Sequence, residues 1–428
     1  MPARSLAPFR HRTFAMFWTG AFVSNIGTWM ETVAIGAYVT DLTGRAAWTG
    51  AVAAAGFVPI AVLSPVGGAL ADRLPRKAVL LTTTFVQLAL AALLTVLFVL
   101  GEPSAPIVTL VVFGSGIASS IGFPAYQALL PDLVPAEDLP GAIGLSSAQW
   151  NLGRVIGPAL AGIVIYYGSY AWALGVNAVS FLAVVAVLLT LTLPRPERPP
   201  DGEGLFASIR DGVRFVRREP GLRAMVTVMC VNTLLAAPFI ALVPAMAIKV
   251  LDAGNAGVSV LVTAQGIGAV AMGVALGGLT ATHGSRRVLM RALWCLPVAL
   301  VAYAYAPNLA LSALGLVFVG ALYLAAFSTF TTIAQTRAPT RLRGRVLSVN
   351  MVVLGVLYPV GSLIQGRLAD AIGLRLTTAL AGVVMAATLF VMRVLRPDAA
   401  DALDAPLAAE LQAVASAAVR PHEEPEPA

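Results

Sequence analysis

Apolar residues run through this chain in long unalternated blocks, each broken by glycine, proline or charge. A helix needs about 20 apolar residues to cross a bilayer. Twelve blocks of that kind occur, at 14–39, 48–71, 78–100, 106–130, 142–166, 170–193, 222–248, 257–281, 288–306, 309–334, 346–368 and 374–395. Barrel strands would alternate polar and apolar positions over short segments, and these blocks do not. Lipid offers no hydrogen-bond partners, so the backbone must satisfy itself within each segment, which a helix does. The prediction is an all-α membrane protein of twelve transmembrane helices. The first block is longer than the apolar core of a signal peptide. No small-residue cleavage site follows it, so it is expected to remain as the first span.

A polar connector, 194–221, separates six blocks from six. It begins LPRPERPPDGEG, whose proline, glycine and charge mark a loop and a boundary. It continues LFASIRDGVRFVRR, where Phe206, Ile209, Val213 and Val216 recur at helical spacing and Arg210, Arg214, Arg217 and Arg218 fall largely elsewhere on the wheel. That pattern predicts an amphipathic helix on the membrane surface. The chain therefore divides into an N-terminal segment (1–13), a six-helix bundle (14–193), the connector, a second six-helix bundle (222–396) and an alanine-rich acidic tail (397–428), which is expected to be disordered.

The two bundles echo each other. GALADRLPRK (68–77) returns as GLTATHGSRR (278–287), 210 residues later, and Gly157 and Gly162 return as Gly361 and Gly366. A parallel repeat with a site between its halves is a transporter architecture.

Composition sharpens this. The chain is 58% hydrophobic and 11% charged, with mean hydropathy +0.84; soluble domains carry about 25% charged residues. The net charge of +7 is built from arginine, since Lys77 and Lys249 are the only lysines. Of the 28 basic residues, 23 fall on the side of the two termini and four (Arg45, Lys249, Arg367 and Arg375) on the other. Both termini are therefore expected in the cytoplasm, and the basic balance needs no nucleic acid to explain it. Cys230 and Cys295 lie inside apolar blocks, and the three histidines lie outside them. Neither a disulfide nor a metal site is expected. There is no G-x-x-x-x-G-K-S/T phosphate loop and no nucleophile constellation, so neither ATP hydrolysis nor enzymatic chemistry is expected.

GALADRLPRK resembles the loop signature of the major facilitator superfamily, G-x-x-x-D-R-x-G-R followed by arginine or lysine. Gly68, Asp72, Arg73, Arg76 and Lys77 match it, and Pro75 stands where a glycine is usual. The resemblance implies a cytoplasmic gate. In it Gly68 admits a neighbouring helix closely, while Asp72 pairs with Arg73 or caps a helix N-terminus. In the fifth block, Gly144, Gly153, Gly157, Pro158 and Gly162 resemble an exporter pattern of that superfamily, with Ala161 replacing one glycine. Small residues thin a helix face, and proline bends the helix.

FPAYQALLPDLVP (123–135), NLGRVIGPALAG (151–162) and GVRFVRREPGLR (212–223) are similar to transmembrane secretion effectors, which include enterobactin-type siderophore exporters and macrolide efflux proteins. That resemblance implies a monomeric secondary transporter in the cytoplasmic membrane. It would export a small organic molecule by alternating access and proton antiport, with no cofactor beyond the proton gradient. A nutrient importer of the same fold, or a non-transporting sensor, is the alternative. Many proton-coupled drug exporters carry arginine in the fourth span, and here 106–130 holds no charge.

Two charges lie deep in the blocks, Glu31 and Arg154. Each costs about 3 kcal/mol or more at the bilayer centre, which marks a job or a partner. Ser24, Thr28 and Glu31 share a helix face, a polar stripe suited to a cavity. Glu31 is expected to couple protons, the alternative being a carboxylate simply exposed at the outer mouth. Arg154 fits three roles: charge partner of Glu31, anion contact for cargo, or a clamp on carbonyls, Asn151 or Gln149. Asn232, Gln265, Ser328, Thr332, Gln335, Asn350 and Tyr358, with Gly361 and Gln365, are expected to line a mostly apolar cavity. The carboxylate suits cationic cargo and Arg154 suits anionic cargo, so both remain open.

Overall fold

The chain reverses between long helices within a few residues. Gly44 (φ 62°), Gly284 (φ 82°) and Gly373 (φ 91°) make the sharpest turns in a conformation that side chains resist. A computed structural model describes residues 6–191, 205–339 and 342–403, apart from the side chains of Pro65, Ala69, Asp72, residues 205–209, Asp211, Ala399 and Ala400. The first half holds α1 (Arg12–Thr43), α2 (Ala46–Arg73), α3 (Arg76–Leu100), α4 (Ala105–Leu133), α5 (Leu139–Tyr167) and α6 (Tyr170–Thr190). The amphipathic α7 (Leu205–Arg218) follows. The second half holds α8 (Pro220–Val231), α9 (Phe239–Lys249), α10 (Gly254–His283), α11 (Ser285–Ala304), α12 (Leu309–Arg337), α13 (Arg343–Ile372) and α14 (Leu374–Leu395).

Among the described residues, ten segments are long and apolar enough to cross a membrane by length and composition, with α8 and α9 counted as one. Helices α1 and α5 fall outside that ten because polar residues lower their hydropathy. These are 32 and 29 residues long. Ser24, Asn25, Thr28, Glu31 and Thr32 dilute the first, and Ser146, Ser147, Gln149, Asn151 and Arg154 the second. The two helices that carry the deep charges pack against each other. A methyl group at Gly157 of α5 would stand 2.5 Å from Trp29 Cβ and 2.8 Å from the Ile26 carbonyl oxygen of α1.

The seventh crossing is broken. Residues Asn232–Ala236 form a π-turn, closed by Ala237 N–H donating to the Asn232 carbonyl (3.0 Å). Pro238 has no N–H to give the Leu234 carbonyl four residues back. Gln365 of α13 supplies the donor instead, its Nε2 reaching Leu234 O (3.3 Å) and Leu235 O (2.9 Å). Gly361 leaves the room, since a methyl there would lie 2.7 Å from Pro238 Cγ. Gly361 and Gln365, expected to line a cavity, instead brace a broken helix.

Within the first half α1 packs on α5 and α6, and α4 packs on α2 and α3; within the second, α12 packs on α10 and α11. The halves meet along two pairs, α2 with α13 and α5 with α10. These seams are tight at the end opposite the connector. There Gly366 lies against Ala46 and Ala47, with a methyl meeting the Ala46 carbonyl at 2.9 Å. Gly162 lies against Ser259, and Tyr170 of α6 donates to Asn255 Oδ1 of α10 (2.9 Å). At the connector end, methyl groups at Gly68, Gly144, Gly277, Gly278 and Gly344 would meet nothing within 4 Å.

Helix α7 docks on α13. Gly212 faces the Arg345 carbonyl, 2.6 Å from a methyl added there, and Phe215 and Val216 are buried. Val213 is exposed. The side chains of Phe206 and Ile209 lie outside the described residues. The tail was expected to be loose from 397, but Arg337 Nη1 donates to the Leu403 carbonyl (2.9 Å) and Leu403 is buried. Residues 404–428, 192–204 and 1–5 lie outside the described residues.

Candidate functional site

Arg154 lies where the halves meet. A methyl group on neighbouring Gly266 of α10 would stand 3.0 Å from the Arg154 carbonyl oxygen and 3.2 Å from Val155 Cα. The Arg154 side chain is 9% exposed. Its guanidinium carbon sits 5.5 Å from the ring centre of Trp29 on α1, a cation–π contact. Trp150 of α5 meets Trp29 edge-on at 5.9 Å. From the second half, Tyr323 of α12 and Tyr358 of α13 are buried. Tyr323 packs edge-on against Phe239 (5.8 Å) and stacks with Phe327 (6.4 Å). Tyr358 meets Phe57 of α2 across the seam at 4.8 Å. The site is therefore one cation on the Trp29–Trp150 pair of the first half, with α10 of the second half against its backbone.

Glu31 is elsewhere. Its Oε2 accepts a hydrogen bond from Asn177 Nδ2 of α6. Asn177 is oriented by Ser180, whose hydroxyl donates to the Asn177 carbonyl (2.7 Å) and reaches its Oδ1 (3.3 Å). Gly27 admits both, since a methyl there would lie 2.7 Å from Asn177 Oδ1. Among the described residues no ion pair joins Glu31 to Arg154; the pairing considered from sequence is not formed here. Neither is the clamp. Asn151 donates to Ser147 O (2.9 Å), and Gln149 Oε1 accepts from Tyr126 (3.2 Å).

The remaining expected cavity residues divide. Ser24, Asn232, Gln265, Asn350 and Tyr358 are buried; Thr28, Ser328 and Thr332 are half-buried; Gln335 is exposed. Thr28 and Thr332 return their hydroxyls to their own helices, at Ser24 O and Ser328 O (both 3.0 Å). Buried Asn232 Oδ1, Gln265 Nε2 and both Asn350 side-chain atoms have no hydrogen-bond partner.

The exporter pattern splits as well. Gly153 and Gly157 let α1 approach, with a Gly153 methyl 2.8 Å from Asn25 Nδ2, while Gly162 lets α10 approach. Pro158 is buried within α5, and Gly144 has no close neighbour. In the loop signature, Arg76 Nη1 pairs with Asp132 of α4 (2.6 Å), and Lys77 donates to Leu191 O at the end of α6 (2.6 Å). Both are braces within the first half. Arg73 is exposed. The Asp72 side chain lies outside the described residues. The expected close approach at Gly68 is absent; Gly67 makes it instead, a methyl there lying 2.7 Å from Ser120 O and Ile121 Cα.

Sequence reasoning missed Trp29, Asn177 and Asp370. The first two were visible only as isolated polar or aromatic positions in apolar blocks, and Asp370 as one acid at a span end.

A model of the transmembrane secretion effector family matches residues 3–422. Macrolide efflux protein A of Streptococcus pyogenes is 24% identical over 376 residues, covering 84% of this chain and 90% of that one. The multidrug efflux pump Tap of Mycolicibacterium fortuitum is 28% identical over 375 residues (83% and 89%). The enterobactin exporter EntS of Shigella flexneri is 30% identical over 297 residues (66% of each). Among solved structures, a bacterial homologue of the lysosomal transporter Spinster superposes with TM-score 0.71 at 14% identity, over 93% of this chain and 97% of that one. The nucleoside transporter NupG does so with TM-score 0.69 at 14% identity, over 89% and 98%. The superpositions establish the fold. With the family match along nearly the whole chain, they make this multi-pass membrane protein a transporter of the transmembrane secretion effector family, within the major facilitator superfamily.

Proposed function

We propose that the protein, as a monomer in the cytoplasmic membrane, exports an amphiphilic small organic molecule by rocking its halves about the seam at Arg154, in exchange for protons. The observation that carries this is the uneven closure of the seams. Gly162, Gly366 and Tyr170 join the halves at one end, while methyl groups at Gly68, Gly144, Gly277, Gly278 and Gly344 at the connector end would meet nothing within 4 Å. The arginine bias puts the connector end in the cytoplasm. On that orientation the cleft faces the side from which an exporter loads. The activities of the relatives, efflux of macrolides and drugs and export of enterobactin, favour export over import. Glu31 is the proton-coupling acid, held by Asn177 in the first half. The segment from Asp72 to Lys77 forms the cytoplasmic gate, with Arg76 and Lys77 anchoring its helix.

Everted proteoliposomes test the reading. With an acid interior they are expected to accumulate labelled enterobactin, and a protonophore is expected to stop it. Uptake indifferent to the pH gradient removes proton exchange, and uptake confined to right-side-out vesicles makes the protein an importer.

A further inference from the structure

A guanidinium carries five N–H donors and no acceptor, and buried polar groups are nearly always hydrogen-bonded. Arg154 departs from both expectations. It is nine-tenths buried, yet among the described residues it donates no hydrogen bond and joins no ion pair, and its Nε is fully enclosed without a partner. The acid that could have neutralised it, Glu31, is engaged by Asn177. Two more enclosed donors lie on the helices that touch this part of α5 and lack partners as well. They are Trp29 Nε1, on the ring beneath the guanidinium, and Gln265 Nε2, next to the glycine that meets the Arg154 carbonyl. Beside them is the Trp29–Trp150 ring pair.

The inventory is donor-rich, aromatic and positively charged, with no carboxylate in contact with the cation. A cationic cargo would meet an uncompensated like charge in a medium of low dielectric, where repulsion is strong. An anion would accept the orphaned donors, and a guanidinium fork matches a carboxylate in plane and spacing. The geometry points to Arg154 as the anion-binding group of the cargo site, and to a flat or aromatic organic anion, a carboxylate or an acidic phenol, as the cargo class. The inference rests on the seam being the loading cleft of the transporter.

Binding to the purified full chain, read by equilibrium dialysis without any transport step, tests it with two probes of one shape: 1-naphthoate and 1-naphthylmethylammonium. Naphthoate is expected to bind at least about tenfold more tightly, the scale of one charge-assisted hydrogen bond. Arg154→Gln is expected to erase the preference, and Arg154→Lys to keep part of it. Equal affinities, a preference for the ammonium, binding of neither probe, or a preference that survives Arg154→Gln each overturn the assignment. The wild-type comparison decides even if a variant fails to fold. Failure of the exporter reading shows separately, as absent uptake in vesicles by a protein that still discriminates the probes.

Discussion

Asp370, near the end of α13, accepts hydrogen bonds from the main-chain N–H of Ala46 (2.7 Å) and of Ala47 (3.0 Å) at the start of α2. Helix α2 has no side-chain cap of its own at Arg45. A carboxylate from the other half fills that role, and the positive end of the helix dipole favours it. Lys249 Nζ (3.6 Å) and Arg45 Nε (3.8 Å) add a charge from each half. The bond therefore joins the two halves at the end where their seams are tight.

Removing it should release that end. A helix cap contributes about 1–2 kcal/mol, so Asp370→Ala is expected to shift the closed-to-open ratio about 5- to 30-fold. The reporter is maleimide labelling at Ser259→Cys, with Cys230 and Cys295 replaced by serine. Ser259 is buried under Gly162 and becomes reachable only on opening. Labelling as slow as in the parent would mean that Asp370 does not hold the halves.

The glycines of the exporter pattern should behave differently from one another. Gly157→Ala drives a methyl to 2.8 Å from the Ile26 carbonyl, a main-chain atom that cannot step aside, and overpacking of this kind costs about 1–3 kcal/mol. Gly144→Ala meets nothing within 4 Å and should melt like the parent. Gly162→Ala strikes only the Ser259 side chain of the other half, so it should fold and shift the equilibrium toward the open end. Thermal unfolding in detergent separates the first pair. A reactive thiol elsewhere on the α5–α10 seam reads the third.

Gln365 offers a test of the broken seventh span. Gln365→Leu leaves the Leu234 carbonyl without a donor, and an unsatisfied buried acceptor costs about 1–3 kcal/mol. The midpoint of unfolding should fall, with faster hydrogen exchange confined to the stretch around 234–240. Gln365→Glu, which offers the carbonyls no amide donor, should do no better. An unchanged midpoint in both would show that the carbonyls find other partners.

The crossings, the repeat and the loop signature could be read from the chain because each is a one-dimensional property. Apolar length is set by lipid thickness, and the signature residues sit in a row. The site could not be read that way. Helical spacing puts Ser24, Thr28 and Glu31 on one face of α1, but spacing does not say which neighbour Glu31 meets. The neighbour is α6, because Gly27 opens a slot for Asn177 and Ser180. Depth along each span suggested that Glu31 and Arg154 could meet, but Glu31 is engaged by Asn177 of α6 and Arg154 by the Trp29 ring. Gln365 read as a cavity residue because nothing local reveals that Pro238, more than a hundred positions earlier, frees a carbonyl opposite it.

The division between Glu31 and Arg154 gives the last prediction. If coupling acid and cargo contact are separate groups, they should fail separately. Glu31→Gln keeps the shape and the hydrogen bond to Asn177 but cannot ionise, so it should stop accumulation driven by the pH gradient. It should leave counterflow, in which labelled cargo exchanges for unlabelled cargo with no net proton movement, near the parent rate. Arg154→Gln should depress both, because each needs cargo bound. Asn177→Ala leaves the acid in place without the amide that orients it, so its accumulation should be intermediate while its counterflow is unaffected. A Glu31→Gln protein that still concentrates cargo against a gradient would remove the acid from the mechanism, and the ionisable group would then have to be sought outside the α1–α6 contact.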